Sequence, residues 1–368
     1  MPFDILGMGT AVPDVKLNQK EALRAAEILC ARTPENLTWL PAMYNGTGIE
    51  SRYICIGREV VDDILNETQH SGSPFLPNGT PDDAGPLTKF RMQVFHEEAG
   101  KIALESTKKA LANSETDAKD ITHLITVSCT GFSAPGYDYH LIQELNLPRN
   151  VLRTNVGFMG CHGSFNALRV AQAYAESDPS ARILLCSVEL CSIHYHYGWD
   201  PQKIIANALF SDGSGALVGR AAPSSGSDRW KLHATGSILL DNSARAMSWH
   251  VANHGFDMVL SKKIPELIQA HLREPLTNWL AKYEVDVKDV GTWAVHPGGP
   301  KILEAVGSAM SLTMDRFWAS KDILRDYGNM SSATILFILN HLRKQRSPGP
   351  VVAIGFGPGL TMEMMLFK

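Results

Sequence analysis

Cysteine is scarce in this chain, with six in 368 residues at positions 30, 55, 129, 161, 186 and 191. That density excludes a small secreted scaffold stapled by disulfides. Long apolar runs are missing too, and no window approaches the roughly 18 apolar residues of a membrane span. The opening "MPFDILGMGTAVPDVKLNQ" has neither the charged leader nor the apolar stretch of a secretory signal. Charge of one sign is not in large excess, and a net charge of −4 argues against a general nucleic-acid binder. What remains is a cytoplasmic globular protein, 44% hydrophobic and long enough for about two domains.

Short apolar runs bounded by glycine or polar residues, such as "HLITVSC", "RILLCSV" and "GALVGR", read as buried strands. Between them lie stretches with helical spacing, notably "KFRMQVFHEEAGKIALESTKKALANS". Residues 66–88 are rich in Gly, Pro, Asn and Asp and read as a surface excursion. From Trp230 the grammar repeats. "KLHATGSILL" is strand-like, "KKIPELIQAHLREPLTNWLAKY" helical, "TWAVH" a strand, and "GPVVAIGFGPGLTMEMMLF" two strands about a glycine turn. Alternation of strand and helix predicts an α/β fold of two similar halves, residues 1–225 and 226–368.

Cys161 stands where strand-like "LRTNVGFM" gives way to helix-like "GSFNALRVAQAYAES". A thiol at a helix start is a candidate nucleophile, because the positive end of the helix favours thiolate. The alternative is a small buried residue at a helix–sheet contact. His162 is the nearest base, but consecutive helical residues point about 100° apart and do not face each other. His296, at the end of "TWAVH" and before Pro297, Gly298 and Gly299, can project from a sheet end into a site. Asn329 in "YGNMSSATILFIL" reads either as a simple N-cap or as a donor to a developing oxyanion. Cys186, Cys191, His194 and His196 lie close in sequence, but their spacing fits no common zinc pattern, and no metal site is predicted.

"GFMGCHGSFNALR", "HPGGPKIL", "YGNMSSATILFIL" and "GFGPGLTMEMMLF", with "GTGIESRY" and "NALFSDGSGALVG", together resemble the type III polyketide synthases, the chalcone synthase-like family. The motifs run in order across nearly the whole chain, 135 residues separating Cys161 from His296 and 33 more reaching Asn329. The resemblance implies a thiolase-like fold of five layers, α-β-α-β-α, with the site where the halves meet. It implies that Cys161 carries the acyl chain as a thioester and that His296 holds it as thiolate in an ion pair. His296 and Asn329 would donate to the malonyl thioester oxygen as CO₂ leaves. CoA thioesters, malonyl-CoA and an acyl-CoA, would be the substrates of repeated decarboxylative Claisen condensation, with no bound cofactor. Homodimers are implied as well. A single-condensation ketoacyl synthase of the same fold is the neighbouring alternative, and a thioesterase with the same three residues a more distant one.

Phe210 matches the family's phenylalanine gate, and Ser331, Gly357 and Pro358 fall in the matching cavity segments. The spelling departs from plant members at several positions. The second aromatic gate becomes Met258, a more adaptable side chain. Cys129, Cys191 and His194 replace small or threonine-like cavity residues. Ala134 stands where plant members reach into the partner subunit with methionine. Only Arg52 is left as a candidate to hold CoA phosphates. The bacterial-type cavity spelling points to an aliphatic starter.

Overall fold

The computed structural model describes residues 2–222 and 230–368, so the expected boundary between residues 225 and 226 lies outside the described residues. Thirteen strands are found among them: β1 Phe3–Ala11, β2 Val15–Asn18, β3 Ser51–Ile54, β4 His123–Ser128, β5 Leu152–Gly157, β6 Arg182–Leu190, β7 Asp212–Ala221, β8 Lys231–Leu239, β9 Met247–Ala252, β10 Gly255–Leu260, β11 Thr292–Val295, β12 Val351–Gly357 and β13 Thr361–Phe367. Nine of them form one sheet in the order β11-β12-β13-β8-β1-β7-β6-β4-β5. Strands of the first half fill one side and strands of the second half the other. The seam between β1 and β8 is short, Phe3 opposite Leu232 and Asp4 opposite Lys231.

Side-chain alternation explains the layering. Along β6, Ile183 and Leu185 enter one core, while Leu184, Cys186 and Val188 enter another. Along β12, Val351 and Ala353 face the first of these, whereas Val352 and Ile354 face a third. A strand buried on both faces is apolar at most positions on either face, which is why these runs show no regular polar alternation. The shared middle core holds the helices Gly163–Ser177 and Thr334–Lys344, one from each half. Outer helices such as Thr88–Ser114 and Pro300–Met310 cover the other two faces. The arrangement is the expected five-layered thiolase-like fold.

Two expectations need correction. The stretch from Lys262 to Tyr283 is not one helix but two, Ile264–His271 and Arg273–Ala281. Pro275 has no N–H to donate to the carbonyl four residues earlier, so the ladder breaks there. Residues 66–88 are irregular but not wholly superficial: Phe75 and Leu76 are buried, and the Tyr197 hydroxyl donates to the Phe75 carbonyl. A hairpin the sequence reading did not isolate, β9–β10, turns at Asn253–His254 and packs over the site.

Candidate active site

Cys161 sits in a single 3-10 turn, Gly160–His162, that leads into the helix Gly163–Ser177. Gly160 is required before it. Its φ is +72°, and a Cβ there would fall 2.4 Å from Pro358 Cδ. Glycine alone adopts that backbone conformation without cost and leaves room for the loop opposite. Pro358 therefore helps wall the small pocket at Cys161, together with Cys129, Cys191, Phe210, Met258 and Ser331.

The Ser331 and Asn329 side chains lie near the Cys161 thiol, and both favour its thiolate. Burial acts in the opposite sense and dominates, pushing the thiol up to about 12, with the nearby Glu189 carboxylate adding to the rise. Asn329 is fixed from several directions. Its N–H donates to the Leu209 carbonyl (3.0 Å), its own carbonyl accepts from Ser211 N–H (2.9 Å), and its Oδ1 accepts from Ser331 N–H (2.9 Å). With Oδ1 occupied, the amide presents its NH₂ as donor. Asn329 thus has the short-range bond of a cap and a free donor at the thiol. Phe210 is bridged to Asn329 backbone to backbone, which ties the gate position to the donor.

His296 follows β11 and is held by its N–H to the Ile354 carbonyl (2.8 Å). It is 1% exposed, and both ring nitrogens are free of protein partners. Burial first, and neighbouring His162 second, push its pKa down to about 3. Burial thus penalises the charged form of both the Cys161 thiol and the His296 imidazole.

His162 points elsewhere. Its Nδ1 meets Asn166 Oδ1 at 2.8 Å, and Asn166 Nδ2 donates to Glu363 Oε1 at 3.2 Å. Because Glu363 only accepts, Asn166 Oδ1 is the acceptor for His162, which places the histidine proton on Nδ1. Gly357 does not line the pocket but lies under this ring. A Cβ at Gly357 would come within 2.1 Å of His162 Cδ2, so it is a support rather than the expected cavity residue.

Arg52 also takes a different role from the expected one. It is 3% exposed and donates to the Asn207 (2.7 Å), Ala208 (2.6 Å) and Phe210 (3.1 Å) carbonyls and to Gln19 Oε1 (2.7 Å). A guanidinium committed to buried carbonyls cannot reach out to a CoA phosphate. It instead closes the end of the helix Pro201–Leu209 and sets the Phe210 backbone. Arg52→Met should cost about 3 kcal/mol of stability by stranding these acceptors, seen in denaturant melts. A phosphate-gripping residue would instead raise KM with the melt unchanged.

His194 lines the larger cavity, yet both its nitrogens are engaged. Nε2 donates to the Thr130 carbonyl (2.6 Å) and Nδ1 accepts from Phe256 N–H (3.0 Å). Burial pushes its pKa down to about 3. It is a neutral strut between the loop after β4 and the β9–β10 hairpin. Cys186, by contrast, lies on the outer core face beside Ser106 and Ser214. Strand alternation therefore separates it from Cys191, which faces the cavity.

The sequence reading passed over Glu189, the acid near the end of apolar β6. It is fully buried and accepts from Cys129 N–H (3.2 and 3.0 Å), Thr130 Oγ1 (2.8 Å) and Ser332 Oγ. Burial raises its pKa from 4.5 to about 6 despite these bonds. The folded protein thus binds this proton more tightly than the unfolded chain. Its contribution to stability is complete below 4.5 and is lost as pH rises through about 6. Glu189→Gln should reduce that slope in denaturant midpoints taken across the window. It should also move the midpoint of Cys161 alkylation to lower pH, because a negative neighbour is removed. An acid isolated in an apolar strand was the signal available for finding it.

Phe210, Met258, Cys191 and Trp249 line both the small pocket and a larger neighbouring cavity of about 120 Å³. Its inner wall is apolar, built from Ala22, Ala25 and Leu29 of the helix Gln19–Cys30, Ile54 of β3, Ile64 and Phe75.

Residues 2–223 match the N-terminal domain of the chalcone and stilbene synthases, and residues 231–368 match their C-terminal domain. The alpha-pyrone synthesis polyketide synthase-like Pks18 of Mycobacterium tuberculosis is 30% identical over 371 residues, covering 99% of this chain and 90% of the relative. Type III polyketide synthase C of Arabidopsis thaliana is 29% identical over 380 residues, covering 99% and 94%. Among solved structures, PKS-I of the brown alga Ectocarpus siliculosus superposes with a TM-score of 0.89 at 27% identity, covering 100% and 98%. The fungal type III polyketide synthase ORAS gives 0.84 at 27%, covering the whole of both chains.

Proposed function

Because the chain belongs to the chalcone and stilbene synthase family of type III polyketide synthases, we propose that it extends a linear aliphatic acyl-CoA by repeated condensation with malonyl-CoA. The product would be a cyclised pyrone, resorcinol or phloroglucinol-type compound. The observation that carries the starter assignment is the cavity with an apolar wall that shares Phe210, Met258, Cys191 and Trp249 with the Cys161 pocket. Burial of each methylene contributes about 0.8 kcal/mol, so a hexanoyl chain gains about 3 kcal/mol over acetyl.

In this reading Cys161 Sγ attacks the starter thioester while His296 accepts the thiol proton and returns it to the departing CoA thiolate. Malonyl-CoA then loses CO₂. The enolate oxygen receives hydrogen bonds from the neutral His296 N–H and the Asn329 NH₂, donors set in a desolvated pocket. The enolate carbon attacks the Cys161 thioester, the thiolate leaves, and the lengthened chain returns to Cys161 for the next round. A histidine that stays neutral is suited to this cycle, since it can both accept and donate.

Purified protein with malonyl-CoA and acyl-CoAs of graded length tests the assignment. Turnover should rise with chain length up to a limit, and Ala25→Phe should move that limit to shorter chains. A length profile unaffected by Ala25→Phe would overturn it. We also infer a cytoplasmic homodimer. Support for the dimer comes from β5, an edge strand with an exposed face that includes Leu152, and from exposed Phe158 and Met159 just after it. The six free thiols suit a reducing compartment.

A further inference from the structure

Three thiols converge on the nucleophile's pocket, and catalysis needs only one. Cys129 and Cys191 line it together with Cys161, and all three are free and buried. Cys129 is held close against the nucleophile's own backbone. Its Sγ accepts from Gly160 N–H at 2.9 Å and lies 3.4 Å from the Gly160 carbonyl oxygen. That carbonyl belongs to the peptide bond joining Gly160 to Cys161, so the Cys129 sulfur sits within one peptide unit of the nucleophile. Behind it stands Glu189, whose two oxygens accept from Cys129 N–H.

We propose that Cys129 is a resolving thiol for Cys161, capturing the oxidised nucleophile as an internal disulfide when the protein meets hydrogen peroxide. A thiol that must become thiolate to attack a thioester is also a target for peroxide. The first step transfers one oxygen. The Cys161 thiolate attacks the peroxide O–O bond, giving Cys161–SOH and hydroxide, which takes up a proton to become water. In the second, Cys129 Sγ attacks the sulfenic sulfur. The S–O bond breaks, an S–S bond forms, and a second water leaves. The proton lost by Cys129 is relayed through the Glu189 carboxylate, which burial makes a better base than an ordinary one, to the departing hydroxide, completing that water. Without a neighbouring thiol, a second peroxide carries the sulfenic acid on to sulfinic acid, which thiols do not reverse. Cys186 and Cys30 are not placed for this role. Cys186 is on the opposite face of β6, and Cys30 packs against Tyr195 and His196.

The test is a peptide map of the full-length protein after hydrogen peroxide, with remaining thiols alkylated before digestion. Wild-type protein should yield the Cys129 and Cys161 peptides joined, lighter by two hydrogen atoms than their sum. Activity lost to peroxide should return with dithiothreitol. In Cys129→Ser, the Cys161 peptide should instead gain two oxygen atoms at the same dose. Its lost activity, measured against its own untreated sample, should not return. A wild-type map showing Cys161 as sulfinate without the crosslink overturns the proposal, as does a crosslink to Cys191 instead. The wild-type map decides the matter even where the variant folds poorly.

Discussion

His296→Gln should lower malonyl-CoA decarboxylation by about 10³-fold, through loss of both a proton acceptor and an oxyanion donor. His162→Gln should leave it within an order of magnitude. The two histidines are neighbours, both nearly inaccessible, and their difference lies in their partners. His162 spends its Nδ1 proton on Asn166, in a chain that runs on to Glu363. Its ring packs on Gly357, and glutamine can still donate to Asn166 from that position. His296 has both nitrogens uncommitted in a pocket that keeps it neutral. Glutamine there can donate but cannot take up the thiol proton. Single-turnover assays with malonyl-CoA alone separate the two, since decarboxylation needs no starter. The reverse ranking would restore the adjacent Cys161–His162 pair as the catalytic dyad.

Asn329→Ala should cost about 10²–10³ in decarboxylation, the usual loss for one oxyanion donor, while CoA release on loading the starter persists. The gate makes this a clean experiment. Phe210 is bridged to Asn329 through backbone atoms, and the Ser211 and Leu209 contacts are backbone contacts as well. Alanine keeps all of these backbone contacts and removes the amide, together with the bond its Oδ1 accepts from Ser331 N–H. A variant that failed in loading and decarboxylation alike would show that the amide supports the pocket's shape rather than the enolate. Loading is followed by CoA released in the absence of malonyl-CoA.

The central strands were legible in the sequence, because burial on both faces leaves strong local patterns, and glycine-flanked turns singled out the candidate residues Cys161 and His296. Cys161 announced itself by Gly160, whose positive φ and contact with Pro358 no other residue satisfies. What local pattern could not convey was the destination of long polar side chains. Arg52 reads as a candidate to hold CoA phosphates, yet the carbonyls it satisfies lie 155 to 158 residues further along the chain. The two ties of His194 run to Thr130 and Phe256, on segments more than 60 residues away on either side. Charge states were hidden for the same reason. The expected thiolate–imidazolium pair follows from residue types, whereas the penalty on either charge follows from burial. Pro275 was visible, and its missing N–H divided a helix that hydrophobic spacing alone had joined.

The central claim is that a chain grows by successive condensations on Cys161, and the mass of the Cys161 peptide reads this most directly. The protein is incubated with a medium-chain acyl-CoA and malonyl-CoA, quenched in acid at short times and digested. The account predicts a ladder on that peptide: the starter acyl group, then the same group lengthened by one, two or more ketide units. A starter alone, or one unit with none beyond it while malonyl-CoA is consumed, would contradict it and identify a single-condensation enzyme.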